Sequence, residues 1–244
     1  MKKQLTFVVF SLLLMATIFS CNKTEVEQDD TLKVLGLTEK VGNYGYKELN
    51  EATLQWFFGL PADNNNPLLD ETGAVSRSSN QPLQGITILP SNFGGKTTRS
   101  LTVSSSNYVF LTPLGRIVWY YDNDACDPNW KPAANQSLKD FLFENVGEGI
   151  AKGIVSVKLD GVEIISDWSK FRYKSDIFEV SINKDFDNPN CDYSKQKAKT
   201  VSDSYGVLLK IPKGNHVLIM KGTMPAANPA DTFEAEVTWN LTVE

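Results

Sequence analysis

From Thr232 to Glu244, apolar and polar side chains alternate without a miss. Phe233, Ala235, Val237, Trp239, Leu241 and Val243 stand against Thr232, Glu234, Glu236, Thr238, Asn240 and Thr242. Successive side chains of a strand point to opposite faces, so the pattern predicts one long strand with an apolar face and a wet face. A strand buried on both sides would read as a continuous apolar run. The alternation therefore predicts an antiparallel sheet covered on one side.

The same reading places strands at 83–89, 99–103, 108–111, 116–121, 154–159, 162–165, 171–173, 177–182, 205–211 and 216–220. Asp160-Gly161 is a hairpin signal, because glycine tolerates the positive φ of that turn. Pro212 to Asn215 closes a second hairpin. Two short helices interrupt the strands. One spans 47–58, with Leu49, Ala52 and Trp56 at helical spacing and Gly59 and Pro61 as its stop. The other spans 137–145, where Ser137 and Asp140 form a capping pair and Leu138, Phe141 and Leu142 share a face. Residues 31–46, 63–80, 122–134 and 183–202 show no period and read as loops. The sum is a mainly β chain: an antiparallel β-sandwich, jelly-roll-like, with two short helices in a single domain over 46–244.

The first residues read as an address. Lys2 and Lys3 precede an apolar run over 5–19 that is short for a membrane span. The run closes on Ile18-Phe19-Ser20-Cys21, which resembles a bacterial lipoprotein signal, removed before a cysteine that then carries lipid. The competing reading is an ordinary secretory peptide with a chance cysteine. Residues 21–45 form an acidic tether and lead-in loop. Its stretch from Asn22 to Asp30 resembles the export tags of surface lipoproteins in Bacteroidetes-type bacteria, although acidic runs are commonly plain linkers. The expectation is an outer-membrane lipoprotein held by lipid on Cys21, with exposure at the cell surface as its further form. Each buried methylene of such an anchor contributes ~0.8 kcal/mol. With Cys21 taken, Cys126 and Cys191 remain as a pair in an oxidising compartment, and we expect them to be bonded. Closing that loop is worth about 4 kcal/mol by the chain-entropy model.

Several short motifs together resemble an uncharacterised family of secreted, β-rich bacterial proteins. They are Trp56, Pro61, Asn66-Pro67, Asp70 and Gly73; Gly94-Gly95 with Arg99; Asp160-Gly161; Arg172 with Ser175 and Phe178; Tyr205; and Gly214-Asn215-His216. The resemblance covers roughly residues 50–243. It implies one domain and assigns no activity or site.

Charge and chemistry narrow the picture. Lys2 and Lys3 leave with the first twenty residues, which takes the net charge from -5 to -7. An acidic chain without a basic stripe lacks the phosphate contacts that dominate nucleic-acid affinity, so that partner is excluded. His216 is the sole histidine and begins a strand, far from any Gly-x-Ser-x-Gly elbow. No Cys/His spacing suits zinc, and there is no phosphate loop or dinucleotide fingerprint. No catalytic residue is therefore assigned and no cofactor is expected, with Ca²⁺ the one ion to test.

Two acid-rich loops stand out. Asp122, Asp124 and Asp127 lie in the first; Asp185, Asp187 and Asp192 lie in the second. A Cys126–Cys191 bond would bring these six together, and pooled oxygen donors suit Ca²⁺. The plain alternative is that Asp, Asn and Pro are simply what turns use. Tyr121, Trp130 and Trp168 lie near these loops. Rings beside carboxylates suit a sugar, whereas rings that merely cover sandwich ends suit packing. The leading expectation is a non-catalytic, lipid-anchored module that binds a glycan or another envelope component, including an envelope protein. The alternatives are a hydrolase working through carboxylates of the two loops, or a structural subunit of an envelope assembly.

Overall fold

The computed structural model describes residues 31–244, apart from 123, 125, 189, 194 and 195. The signal segment, Cys21 and the acidic stretch up to residue 30 lie outside the described residues.

Among the described residues, eleven strands and two α-helices occur in the order β1 (Lys33–Leu35), α1 (Tyr46–Gly59), β2 (Ile86–Leu89), β3 (Gly95–Val103), β4 (Tyr108–Tyr120), α2 (Leu138–Val146), β5 (Ile154–Leu159), β6 (Val162–Glu163), β7 (Arg172–Lys174), β8 (Phe178–Val180), β9 (Ala198–Lys210), β10 (Gly214–Met224) and β11 (Phe233–Val243). They build two packed sheets. One has the order β3-β11-β10-β5-β6; the other has the order β1-β9-β4-β2, with β7 and β8 also on β9.

The opening pattern holds. Ala235, Val237, Trp239, Leu241 and Val243 of β11 are buried, while Glu234, Asn240 and Thr242 of the other face are not. Val237, Trp239, Leu241 and Val243 meet Val109, Leu111, Val207 and Leu209 of the facing sheet in one core. Each such side chain removed from water stabilises the fold by roughly 1.5–3 kcal/mol. Two pairings depart from the antiparallel expectation: β3 runs parallel to β11, and β2 runs parallel to β4. The alternation of β11 reports one-sided burial, and burial does not fix the direction of a neighbour. The sheets are therefore mixed, and the architecture is a two-sheet sandwich.

β9 is the spine of the other sheet. β4 pairs along one edge, and the short strands β8, β7 and β1 lie end to end along the other. This sheet is covered on both faces. Sheet β3-β11-β10-β5-β6 lies on one side, while Leu49, Phe57 and Phe58 of α1 meet Phe110 and Leu208 on the other. β4 and β9 also run on to a region where α2 covers Val118, Tyr120 and Val201. Ser137 caps α2 by accepting from the Asp140 amide at 3.1 Å, as its sequence predicts.

Four expectations are corrected. β1 lies inside the 31–46 segment that reads as a loop. β9 begins at Ala198, inside the 183–202 segment that also reads as a loop. Its Thr200, Ser202, Asp203 and Ser204 are polar yet buried, so no apolar period marks them. The segments 108–111 and 116–121 are one strand, β4, with a bulge between Leu111 and Leu114. The buried face of α1 is Tyr46, Leu49, Asn50, Thr53, Phe57 and Phe58, leaving Trp56 only half-buried.

The polar loop over 63–80 is built rather than irregular, with 3-10 turns at Ala74–Ser76 and Ser78–Asn80. Asn66 donates to the carbonyls of Phe57 and Pro61, and Asp70 accepts from Thr72 and Val75. Gly73 has φ +89, and a Cβ there would lie 2.7 Å from the Ser100 carbonyl oxygen, so only glycine fits. Arg99 donates to the carbonyls of Leu68, Pro90 and Ser91 beside the Trp239 ring. Burial pulls its guanidinium down to about 10.

Candidate functional site

Cys126 and Cys191 are bonded, with their Cα atoms 6.1 Å apart. The two acid-rich loops therefore meet at one corner of the domain. There the Tyr121 and Tyr193 rings stack in parallel, centroids 4.0 Å apart and 5° between planes. The Tyr121 hydroxyl donates to Asp187 at 2.7 Å, and the Tyr193 hydroxyl donates to both Asp124 oxygens at 2.8 and 2.9 Å. Asp124 also accepts from the amides of Cys126 and Asp127. Each tyrosine thus carries a hydrogen bond from its own loop or strand to a carboxylate of the other segment.

The electrostatics follow from those bonds. Burial pushes Asp124 up, but donation from Tyr193 and the two amides outweighs it and holds the carboxyl below its usual value. Tyr121 and Tyr193 are pushed well above the usual phenol value, first by burial and then by the carboxylate each one faces. Such hydrogen bonds to charged acceptors are stronger than neutral ones.

Ile117, Trp119, Tyr121, Asp124, Asp127, Trp130, Asp187, Asn188 and Tyr193 line a cleft of about 320 Å³ at this corner. Sequence brings Tyr121, Trp130, Asp124, Asp127 and Asp187 to suspicion, and all five line it. The other named residues lie elsewhere. Asp122 pairs with Lys199 at 2.5 Å, and Asp185 accepts from the Ala62 amide at 3.1 Å. Asp192 lines a neighbouring depression with Gly59 and Asn183. Trp168 packs edge-on against Phe171 and Tyr205, remote from the corner. The pooled oxygen set expected for Ca²⁺ does not form: among the described residues no three His, Cys, Asp or Glu side chains are gathered to hold a metal ion. The acids are spread along both loops, and Asp122, Asp124, Asp185 and Asp187 are bonded to an ammonium, phenols and amides.

Trp130 is an anchor more than a platform. Its ring N–H donates to the Trp119 carbonyl at 3.0 Å, and its ring meets Phe141 of α2 at 4.8 Å. Tyr193 is the lining residue that the sequence pattern does not single out. The signal was there for Tyr193, which stands two residues beyond Cys191 and so shares its fixed position.

His216 is a latch between turns. Its Nδ1 lies 2.7 Å from Asp160 Oδ2 and its Nε2 lies 3.0 Å from the Pro212 carbonyl, joining the two predicted hairpins. Asp160 also accepts from the Val217 amide, and donation from His216 and Val217 holds its carboxyl below the usual value.

The fold and the corner define a two-sheet β-sandwich with one helix laid on its outer face and a disulfide-clamped, acid-rich cleft. Comparison with family models, curated proteins and solved structures finds no match.

Proposed function

We propose that the chain is a lipid-anchored protein of a bacterial outer membrane, exposed at the cell surface. In this reading its β domain is a non-catalytic module binding a hydroxyl-rich envelope component, with a glycan as the ligand class. One observation carries the binding part of the proposal: the corner cleft is preorganised by groups that satisfy one another. The disulfide, the stacked tyrosines and their two carboxylates fix its walls, so little ordering remains for a ligand to bring about. Exposed Asp127 and Asn188 then stand at the cleft beside half-buried Trp130 and Tyr193. Polar groups next to ring faces are what a sugar engages.

The same bonds speak against the hydrolase alternative. A carboxylate pair must exchange protons with a substrate. Here Asp124 and Asp187 are each held by a tyrosine hydroxyl, and Asp127 is left without a second unengaged acid among the described residues of the cleft.

A melting-shift screen against a panel of polysaccharides tests the module. The full chain carrying Cys21→Ser, which has no thiol for lipid, should gain several degrees with one glycan. Asp127→Ala should lose that gain and Asp185→Ala should keep it. A flat screen, or a gain untouched by Asp127→Ala, rejects the site. Metabolic labelling with a tagged fatty acid tests the anchor; label that persists in Cys21→Ala rejects it.

A further inference from the structure

The larger opportunity lies away from the acids, beneath α1. β2 ends at Leu89, so β4 loses that neighbour beyond Leu111, where it bulges. β9 presents Ser202 and Ser204 to the helix at this level, and their side chains are too small to fill the space. A cavity of about 190 Å³ remains, lined by Leu54, Phe57, Leu68, Pro113, Ile117 and Met224 among others. Most of its wall is hydrocarbon. For scale, an apolar cavity of about 150 Å³ in a protein core takes up benzene.

Polar side chains also line it, among them Asn92, which donates to Thr97 at 3.0 Å, and exposed Arg116, and their states differ. Asn50 donates to Ser202 at 2.8 Å and accepts from Ser204 at 3.3 Å, so that trio is internally satisfied. Thr53, one turn further along α1, is only 1% exposed, and its Oγ1 has no hydrogen-bond partner among the described residues. A buried hydroxyl in that condition has given up its water with nothing in exchange. Thr53 is a wall residue of the cavity, so a ligand inside it is within reach to supply the partner. Phe93, 49% exposed, lines the same space with its ring edge-on to Phe58 at 6.4 Å, which places an apolar side chain at the opening to solvent.

We infer that this cavity is a second binding site, for a small amphiphile with a one-ring or branched apolar body and a single hydroxyl that pairs with Thr53. The volume limits the body to about one ring with a short substituent. The mostly hydrocarbon wall disfavours sugar-like molecules, whose many polar groups would be stripped of water without partners. Thr53 is the buried lining group left without a partner among the described residues, so it sets where the ligand's hydroxyl goes. This site is distinct from the corner cleft and shares with it only Ile117.

Two probes that differ by one hydroxyl test it: p-cresol and toluene. The full chain carrying Cys21→Ser is titrated with each, and binding is read at the methyl resonance of Met224. Both probes should saturate and shift that methyl, with p-cresol roughly fivefold tighter, the ratio a single net hydrogen bond supplies. Thr53→Val keeps the shape of the side chain and removes its hydroxyl. It should still bind toluene, and the preference for p-cresol should vanish or invert. Toluene binding in that variant shows that the cavity is intact. Absence of saturable binding by both probes overturns the inference, as does a response that leaves Met224 unmoved. An unchanged p-cresol preference in Thr53→Val removes the hydroxyl pairing and with it the assigned ligand class. None of these readouts involves Asp127 or the glycan screen, so the two proposals fail separately.

Discussion

The disulfide corner and the cavity beneath α1 are opposites. At the corner the polar groups are dense and paired, and the acids that draw the eye in sequence are spent on holding two loops together. Beneath the helix the surroundings are apolar and unremarked in sequence, and one hydroxyl is left over. Charged clusters in a sequence mark where a fold must satisfy itself as readily as where it acts. An orphaned group in a dry space is the rarer condition, and it is visible only once the chain is folded.

The contrast can be broken in graded steps. Removing the clamp with Cys126→Ala and Cys191→Ala should have the largest effect, about 4 kcal/mol of stability measured by denaturant titration. A loss below about 1 kcal/mol would mean that the tyrosines and acids hold the corner unaided. Tyr121→Phe removes one hydroxyl from the corner and leaves the Asp187 carboxylate short of its donor, which should cost about 1.5–3 kcal/mol. Thr53→Val removes one hydroxyl from the cavity, where nothing is lost in exchange, and should be neutral or mildly stabilising. Equal costs for these two variants would erase the distinction between the regions.

Proton binding gives the smallest effect. Asp124 and Asp160 lie below their ordinary values in the folded protein, so the unfolded chain takes up protons first as the pH falls. Their contribution is complete well above pH ~4 and is lost as the pH drops through about 4 and below. Asp124→Asn should flatten the acid limb of a stability–pH curve. At the alkaline end the sign comes from the tyrosines. Tyr121 and Tyr193 are raised when folded, so unfolded tyrosines ionise first near pH ~10 and stability falls above it. An absorbance titration should show these two phenols silent until the protein unfolds.

Much of this was legible in the chain. The β11 alternation, both hairpins, both helices and the cysteine pair are local signals, each carried by residues adjacent in sequence or by a count of three cysteines. What escaped was set by partners distant in sequence. The N-terminal half of β9 carries Thr200, Ser202, Asp203 and Ser204, all buried: Thr200 donates to the Ala198 carbonyl, while Asn50 pairs Ser202 and Ser204 and Arg172 pairs Asp203 from far along the chain. Arg172 meets Asp203 through two hydrogen bonds, at 2.8 and 2.5 Å, and nothing near Asp203 in the chain announces it. Parallel pairing of β3 with β11 escaped for the same reason, since a strand's own pattern is blind to the direction of its neighbour. At the candidate site, five of the nine suspected acids and rings converge, because the disulfide could be foreseen. The cavity could not be, since it arises where a strand ends, a bulge intervenes and two serines fail to fill space.

The place of β11 bears on how the molecule comes into being. It lies between β3 and β10, bonded to both, yet it follows every other strand in chain order. Until the ribosome has released β11, β3 has no partner in its sheet, and the half of the core around Trp239 has nothing to close on. That half of the domain therefore closes last, while the sheet built on β9 has all its strands before β11 is made.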